Sequence, residues 1–370
     1  MAITFGAATA PSQVITNLDA LFATSLANYR KTLTDNIGST NAFLYDLLKS
    51  DSYESADGGT YIAEPLMYAL TPADSYSGYD ELSTSSMDGI TQVLYEWRQI
   101  ASPIAYSQLE VIQNQHKLVD LVKSKIMQTE MGIKEGFAQQ LWWGAAPQGG
   151  ALTSARVSPY NGSQGINPIP QLVSYGGTSL TIGNLAEATY TWWKNQTKTS
   201  AATTYSSFIL EMVSMYNSCS LGSGGPPTHI IMDQISYQLF CHAYFSVYKM
   251  APGQVDNTYP FEAVKFMKAK VVMDDKVPDV FSGVAGTEVG GIVDSSTLTY
   301  GTAYFLNSNF FKLRYHPDRD WQMLRNEEGK TFAKPINGDS RVGHVAWMGN
   351  LTINNRRKHG VLGKIARTLS

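Results

Sequence analysis

Residues 60–106 constrain this chain more than any other stretch. Thr60 to Leu70 and Ile90 to Tyr106 are rich in Tyr, Ile, Val, Leu, Thr and Trp, and both read as strands. Their link, Thr71 to Gly89, is made largely of Asp, Ser, Gly and Tyr and is too long for a tight hairpin turn. A long two-stranded ribbon with a large polar tip is marginal by itself in water. It has little core of its own to fill. Its tyrosines at 61, 68, 76, 79 and 95 are therefore expected to meet another surface, because aromatics are enriched at protein contacts.

Composition points the same way. The chain has 370 residues, 43% of them hydrophobic, so it can bury a real core. Only 16% are charged, against about 25% in an average soluble domain. A surface so poor in charge fits a protein whose faces are covered by partners. A net charge of -3 excludes a globally basic nucleic-acid binder. Cys219 and Cys241 are too few for a disulfide scaffold or an all-thiolate zinc site. No basic residue precedes Arg30, so the charged region of a signal peptide is not seen. No uncharged apolar run approaches the roughly 20 residues that span a bilayer. Synthesis in a cytoplasm is expected.

The rest of the chain alternates helix and strand signals. Residues 14–49 read as helical. From His116 to Trp143, Leu118, Val122, Ile126, Ile133, Phe137 and Leu141 fall on one stripe, which predicts a long helix ended by Gly144. Residues 144–186 carry one charge, Arg156, and read as an irregular, low-charge surface. Between 187 and 280, helices are expected at Tyr205 to Ser218 and Ser236 to Lys249, with strands at Thr228 to Met232 and Val264 to Met273. Further strands are expected at Thr302 to Leu306, Phe311 to Tyr315 and Val345 to Ile353. The end, Asn354 to Ser370, carries Arg356, Arg357, Lys358, Lys364 and Arg367 and no acid. It reads as a solvated tail, an inter-subunit cation donor or a contact for nucleic-acid phosphate.

No motif commits the chain to catalysis. His316, Asp318 and Asp320 in His-Pro-Asp-Arg-Asp could ligate a divalent ion, but a salt-bridged turn is the simpler reading. Asp274-Asp275 reads as a capped turn after a strand. Gly338 to Gly343 misses the spacing of a nucleophile elbow by one residue. Gly222-Ser223-Gly224-Gly225 runs into two prolines and opens no helix, so it fails as a phosphate-binding loop. No cofactor is implied.

The order of elements resembles the major capsid proteins of tailed bacteriophages, with the Hong Kong 97-type fold. Strings similar to that family include Gly58-Gly59, Pro65-Leu66-Met67-Tyr68 and Tyr76-Ser77-Gly78-Tyr79-Asp80 in the ribbon. Others are Ala188 to Asn195, Gly301 to Asp320, Trp347 to Leu351 and Asn355-Arg356-Arg357. The resemblance implies an α+β fold in five parts: an N-terminal arm (1–58), an extended β-hairpin loop (59–106) and a spine helix with peripheral domain (107–186). A mixed α/β axial domain (187–300) and peripheral-domain strands with the basic C-terminus (301–370) complete it.

It further implies a non-enzymatic shell protein. Pentamers and hexamers would form an icosahedral virion capsid around non-specifically held double-stranded DNA, with a portal at one vertex and no membrane. Scaffolding, if one is used, would be a separate protein, because arm-like sequence begins within about the first 20 residues; a separate cement protein is a further candidate partner. Some relatives cross-link their shells through a loop lysine. Here no lysine lies between Lys49 and Lys117, so a shell without cross-links is expected. The ribbon carries Glu64, Asp74, Asp80, Glu81, Asp88 and Glu96 against Arg98 alone. Candidate inter-subunit contacts are therefore Tyr76, Tyr79, Asp80, Glu81 and Arg98, with Lys117, Lys123 and Lys125 of an adjacent subunit's helix, or basic residues of its arm, receiving the acids. Arg356, Arg357 and Lys358 are candidate contacts to DNA or to another subunit. The alternatives are an encapsulin-like nanocompartment shell and, remotely, a metal-dependent hydrolase built on His316, Asp318 and Asp320.

Overall fold

The computed structural model describes residues 42–49, 51–71, 73–81, 88–113, 121–143, 165–175, 181–248, 264–277, 300–325, 331–334 and 338–369. In chain order these form α1 (Ala42–Lys49), β1 (Tyr53–Ser55), β2 (Ile62–Met67), β3 (Ile90–Tyr95), β4 (Arg98–Ser107), α2 (Gln108–Gln113) and α3 (Leu121–Trp143). Then come α4 (Ile169–Leu172), β5 (Thr181–Ile182), β6 (Leu185–Ala186), β7 (Gln196–Thr199), α5 (Tyr205–Ser220), β8 (His229–Met232) and α6 (Gln234–Tyr248). The last are β9 (Val264–Phe266), β10 (Ala269–Met273), β11 (Tyr300–Leu306), β12 (Phe311–Tyr315), β13 (Gln322–Met323), β14 (Ser340–Ile353) and β15 (Gly360–Ala366).

Two larger sheets organise them. In the six-stranded sheet the order is β7-β15-β11-β8-β10-β9. Its central strands are buried on both faces, so they read as nearly continuous apolar runs; all four residues of β8 are buried. Ile230, Met232, Ala303, Phe305 and Leu362 face α5 and α6 in one cluster. Ile231, Tyr304, Leu306 and Val361 face a second cluster, shared with α3 and the other sheet. Helix α5 starts at a capping box: Thr204 Oγ1 accepts from Ser207 N (3.3 Å), and Ser207 Oγ accepts from Thr204 N (3.1 Å).

The five-stranded sheet is built on β14. Gly349 pairs with Tyr315 of β12 on one edge and with Arg98 of β4 on the other. Helix α3 crosses this sheet, and Phe137 sits edge-on to Trp347 at 4.8 Å. Trp142 packs against Tyr304 of the six-stranded sheet at 5.2 Å. One continuous core thus ties both sheets to one helix.

Several expectations change. The strand expected over Ile90 to Tyr106 is two strands in two sheets: β3 pairs with β2, whereas β4 pairs with β14. The break is at Glu96-Trp97. The strand expected over Val264 to Met273 is a hairpin turning at Met267, whose φ is 55°. The expected tail contains β15, which pairs with both β11 and β7 inside the six-stranded sheet. The low-charge stretch is not all surface, because Ile166, Ile169, Leu172 and Val173 are core. Its residues 144–164, and the helix start at 114–120 with Lys117, lie outside the described residues.

Candidate assembly surface

The hairpin β2–β3 has two unlike faces. On one, Ile62, Leu66, Val93 and Tyr95 join the shared core. The ribbon therefore has a half-core after all, supplied by its own chain. Leu94 N donates to Gly183 O (3.2 Å), and Tyr68 stacks on Trp192 with ring centroids 5.2 Å apart. Tyr95 Oη donates to Ile353 O (2.7 Å). The opposite face pairs Ala63 with Leu94, Pro65 with Gln92 and Met67 with Ile90. Met67 and Ile90 are each 71% exposed, and Leu70 is 76% exposed. That is an apolar face in water, of the kind that marks a contact surface.

Ion pairs fix the hairpin's root. Glu64 is buried, and its carboxylate accepts from Arg314 Nε (3.0 Å) and Thr352 Oγ1 (3.2 Å). Arg314 and Lys312 both reach Glu54 of β1. Burial alone raises the Glu54 carboxyl, but its hydrogen bond to Lys312 and the charges of Arg314 and Lys312 outweigh this. They hold it below the usual carboxylate range. The second leg is clamped by Asn350, whose Nδ2 donates to Glu96 O (2.8 Å), and by Trp97 Nε1, which donates to Gly59 O (2.8 Å).

Beyond Tyr68 the acidic tip begins. Ser77 and Asp80 close a turn: Asp80 N donates to Ser77 O (2.8 Å), and Ser77 N donates to Asp80 Oδ2 (2.7 Å). Tyr76, Tyr79, Asp80 and Glu81 are exposed, Tyr79 fully.

Other expected contacts are used within the chain. Glu64 does not await a neighbour, because Arg314 neutralises it. Arg98 pairs with Glu96 at 2.8 Å. Lys125 is held by Glu110 (2.8 Å) and Ala105 O (3.1 Å). Lys123 lies in α3.

The basic C-terminal trio needs the largest correction. Arg356 is fully buried. It pairs with Glu187 and donates from Nε to Leu172 O (2.8 Å), from Nη1 to Trp193 O (2.9 Å) and from Nη2 to Asn195 Oδ1 (3.0 Å). Lys358 is buried at the C-terminus of α5, donating to the carbonyls of Ser220 (3.3 Å), Leu221 (2.9 Å) and Gly222 (3.0 Å). A cation there completes the helix's last turn and offsets its dipole. Neither residue can touch DNA or another subunit. Arg357, between them, is exposed. The hint available in the sequence was Glu187, the first charge after the neutral run that follows Arg156.

The hydrolase triad does not assemble either. His316 Nδ1 accepts from Asp318 N (3.2 Å), Asp318 points into solvent and Asp320 accepts from Tyr53 Oη. Among the described residues no group of three or more His, Cys, Asp or Glu could hold a metal ion. Gly338 to Gly343 leads into β14, where Ser340 pairs with Ser107, so it is no elbow. Asp274 caps a turn, accepting from Lys276 N (2.9 Å).

The whole architecture recurs in solved shells. The capsid of cyanophage A-1(L) superposes with a TM-score of 0.59 at 12% identity, over 92% of this chain and 97% of that one. The native GTA particle capsid gives 0.57 at 11% identity, over 93% and 96%. This is the Hong Kong 97-type capsid fold. The SrpI encapsulin of Synechococcus elongatus also matches it, with a TM-score of 0.53 at 12% identity, over 95% of this chain and 96% of that one. No protein-family description and no curated protein sequence matches the chain. In this Hong Kong 97-type chain the resemblance lies in the backbone, while the side chains that tie it together are its own.

Proposed function

We propose that this chain is the major capsid protein of a tailed double-stranded DNA bacteriophage. It assembles with itself into pentamers and hexamers that close into an icosahedral head, and does no chemistry of its own. The observation that carries this is coverage. Phage and GTA shell subunits match over more than nine-tenths of both chains, so the shell fold accounts for nearly the whole chain. The exposed apolar face of β2–β3 and the 16% charge content support it, since both suit a tile covered by neighbours. In this reading 1–58 is the arm, 59–106 the extended loop, and 187–300 the axial domain. DNA is held non-specifically, with portal, scaffolding and any cement protein as separate chains.

The second reading is a nanocompartment shell, favoured by the SrpI match. Both are tested by electron microscopy and light scattering of the purified protein, followed by assay of the particle contents. Polyhedral shells or five- and six-fold rings are expected. Nuclease-protected DNA in particles from the natural source supports the head; a co-purifying enzyme supports the compartment. A monodisperse monomer at every salt and protein concentration, even with the neighbouring head proteins present, overturns both.

A further inference from the structure

We propose that a cleft beside β7 receives the acidic hairpin tip of a second copy of this chain. The inference rests on the shell reading above and names its contact. The cleft has a volume of about 320 Å³, and Trp192, Lys194, Gln196, Thr197 and Arg357 line it. Lys194 and Arg357 are both exposed, and among the described residues no ion pair is seen for either. Their chain neighbours Asn195, Arg356 and Lys358 are buried and committed to the interior, so the cleft presents two cations on a rigid floor. Among the described residues strand β7 ends the six-stranded sheet, bonding β15 on one edge only. Its other edge offers backbone groups to an incoming segment. The Trp192 indole adds an aromatic wall.

The tip has the complementary chemistry. Asp74, Asp80 and Glu81 surround a closed turn, with Tyr79 fully exposed beside two acids. Among the described residues Asp74 and Glu81 show no ion pair. The volume suits the side chains of a turn, not a domain. Tyr79 can pack on Trp192 while Asp74 or Glu81 meets Lys194 and Arg357. Within one molecule the tip lines no part of this cleft, although Tyr68 at the hairpin's root already rests on Trp192. The occupant is therefore the tip of another copy. Such a contact is head-to-tail and repeats around a ring. Two cations beside an open strand edge are too few for a nucleic-acid groove, which follows the backbone with a row of them.

The test is a charge swap. Lys194→Glu with Arg357→Glu is expected to cut pelletable shells about tenfold or more, and so is Asp74→Lys with Glu81→Lys, which spares the Asp80 carboxylate that closes the turn, because close complementary charges dominate such contacts. All four substitutions in one chain should restore shells to within about twofold of wild type. Each variant should keep the wild-type circular dichroism and melting temperature, since all four side chains are exposed. A second reading is a cross-link: Tyr79→Cys with Thr197→Cys should give disulfide-linked oligomers in particles but not in dilute subunits. Normal shells from both reversed pairs overturn the contact while leaving the shell reading intact. Shells that form normally but lose DNA on cleft reversal also overturn it, and assign the cleft to phosphate. If the wild-type chain forms no ring or shell beside the remaining head proteins, the shell reading falls and the contact with it.

Discussion

A guanidinium cut off from water must find its hydrogen-bond partners inside the protein. Arg356 finds Glu187, Leu172 O, Trp193 O and Asn195, which come from three separate segments. Burial lowers its pKa and the Glu187 charge opposes that, so the pair is retained as an ion pair. Arg356→Met leaves Glu187 charged, buried and alone. A loss of about 3–5 kcal/mol is expected in urea unfolding of the unassembled subunit. Pairing it with Glu187→Leu should recover much of that, because the uncompensated charge is the main cost.

Acid acts through a neighbouring residue. Burial, and then the Arg356 charge, push His359 down from 6.5 to about 3. Its Nδ1 accepts from Asn307 N (3.2 Å), so the neutral ring is the form that fits. The folded pKa lies below the unfolded one. The stability His359 contributes is therefore complete above about pH 6.5 and is lost as pH falls towards 3. Between pH 7 and 5 that amounts to about 2 kcal/mol. Asp274 opposes it: burial raises its carboxyl to about 6, so protonation on acidification favours the folded chain. Asp274→Asn should thus steepen the acid loss, and His359→Gln should flatten it. Unfolding midpoints measured from pH 7 to 5 decide; unchanged slopes in both variants contradict this account.

At the scale of elements, the hairpin is held by a close backbone approach. A Cβ at Gly183, where φ is 59°, would lie 1.8 Å from Val93 Cγ1, and Val93 is fully buried. Gly183→Ala must therefore lift β3 or displace β5. The cost is about 1–3 kcal/mol, carried mainly by the hairpin. Limited proteolysis between Tyr68 and Ile90 should accelerate several-fold while the melting temperature of the rest changes little. Equal protease resistance would show that the hairpin is not seated through Gly183.

The same elements show why some structure was legible and some was not. Phe311 to Tyr315 and α5 were readable because alternation and helical spacing each signal one buried side. The division of 90–106 into β3 and β4 was not, because the strand changes sheets at Glu96-Trp97 without a glycine or proline to mark it. Residues 340–344 were missed because the start of β14 is polar. The basic C-terminus misled because the partners of Arg356 lie 161 to 184 residues away in sequence. Spacing within a segment says nothing of such pairs. Exposure of the tip residues was readable, but the cleft beside β7 was not, since Lys194 and Arg357 are far apart in sequence and are brought together by the pairing of β7 with β15.

At the scale of the whole molecule, one core runs from the five-stranded sheet through α3 to the six-stranded sheet. The inner face of the hairpin belongs to that core, and its tip beyond Tyr68 is exposed. A shell subunit can be fixed to its neighbours by covalent bonds or by area. An amide cross-link from the hairpin needs an amine there, and residues 50–116 contain no lysine. In the proposed shell, area and complementary charge would then hold the hairpin to its neighbours, through the apolar face of Met67, Leu70 and Ile90 and the acidic tip. Two consequences separate this from a cross-linked shell. Shells boiled in detergent should run as one band at the subunit mass of 40.6 kDa. Raising salt towards 1 M, where the Debye length is about 3 Å, should loosen the shell at its charged contacts while the apolar face persists. A ladder of covalent multimers, or shells indifferent both to salt and to the loss of Met67 and Ile90 side chains, would place the holding force somewhere other than the hairpin.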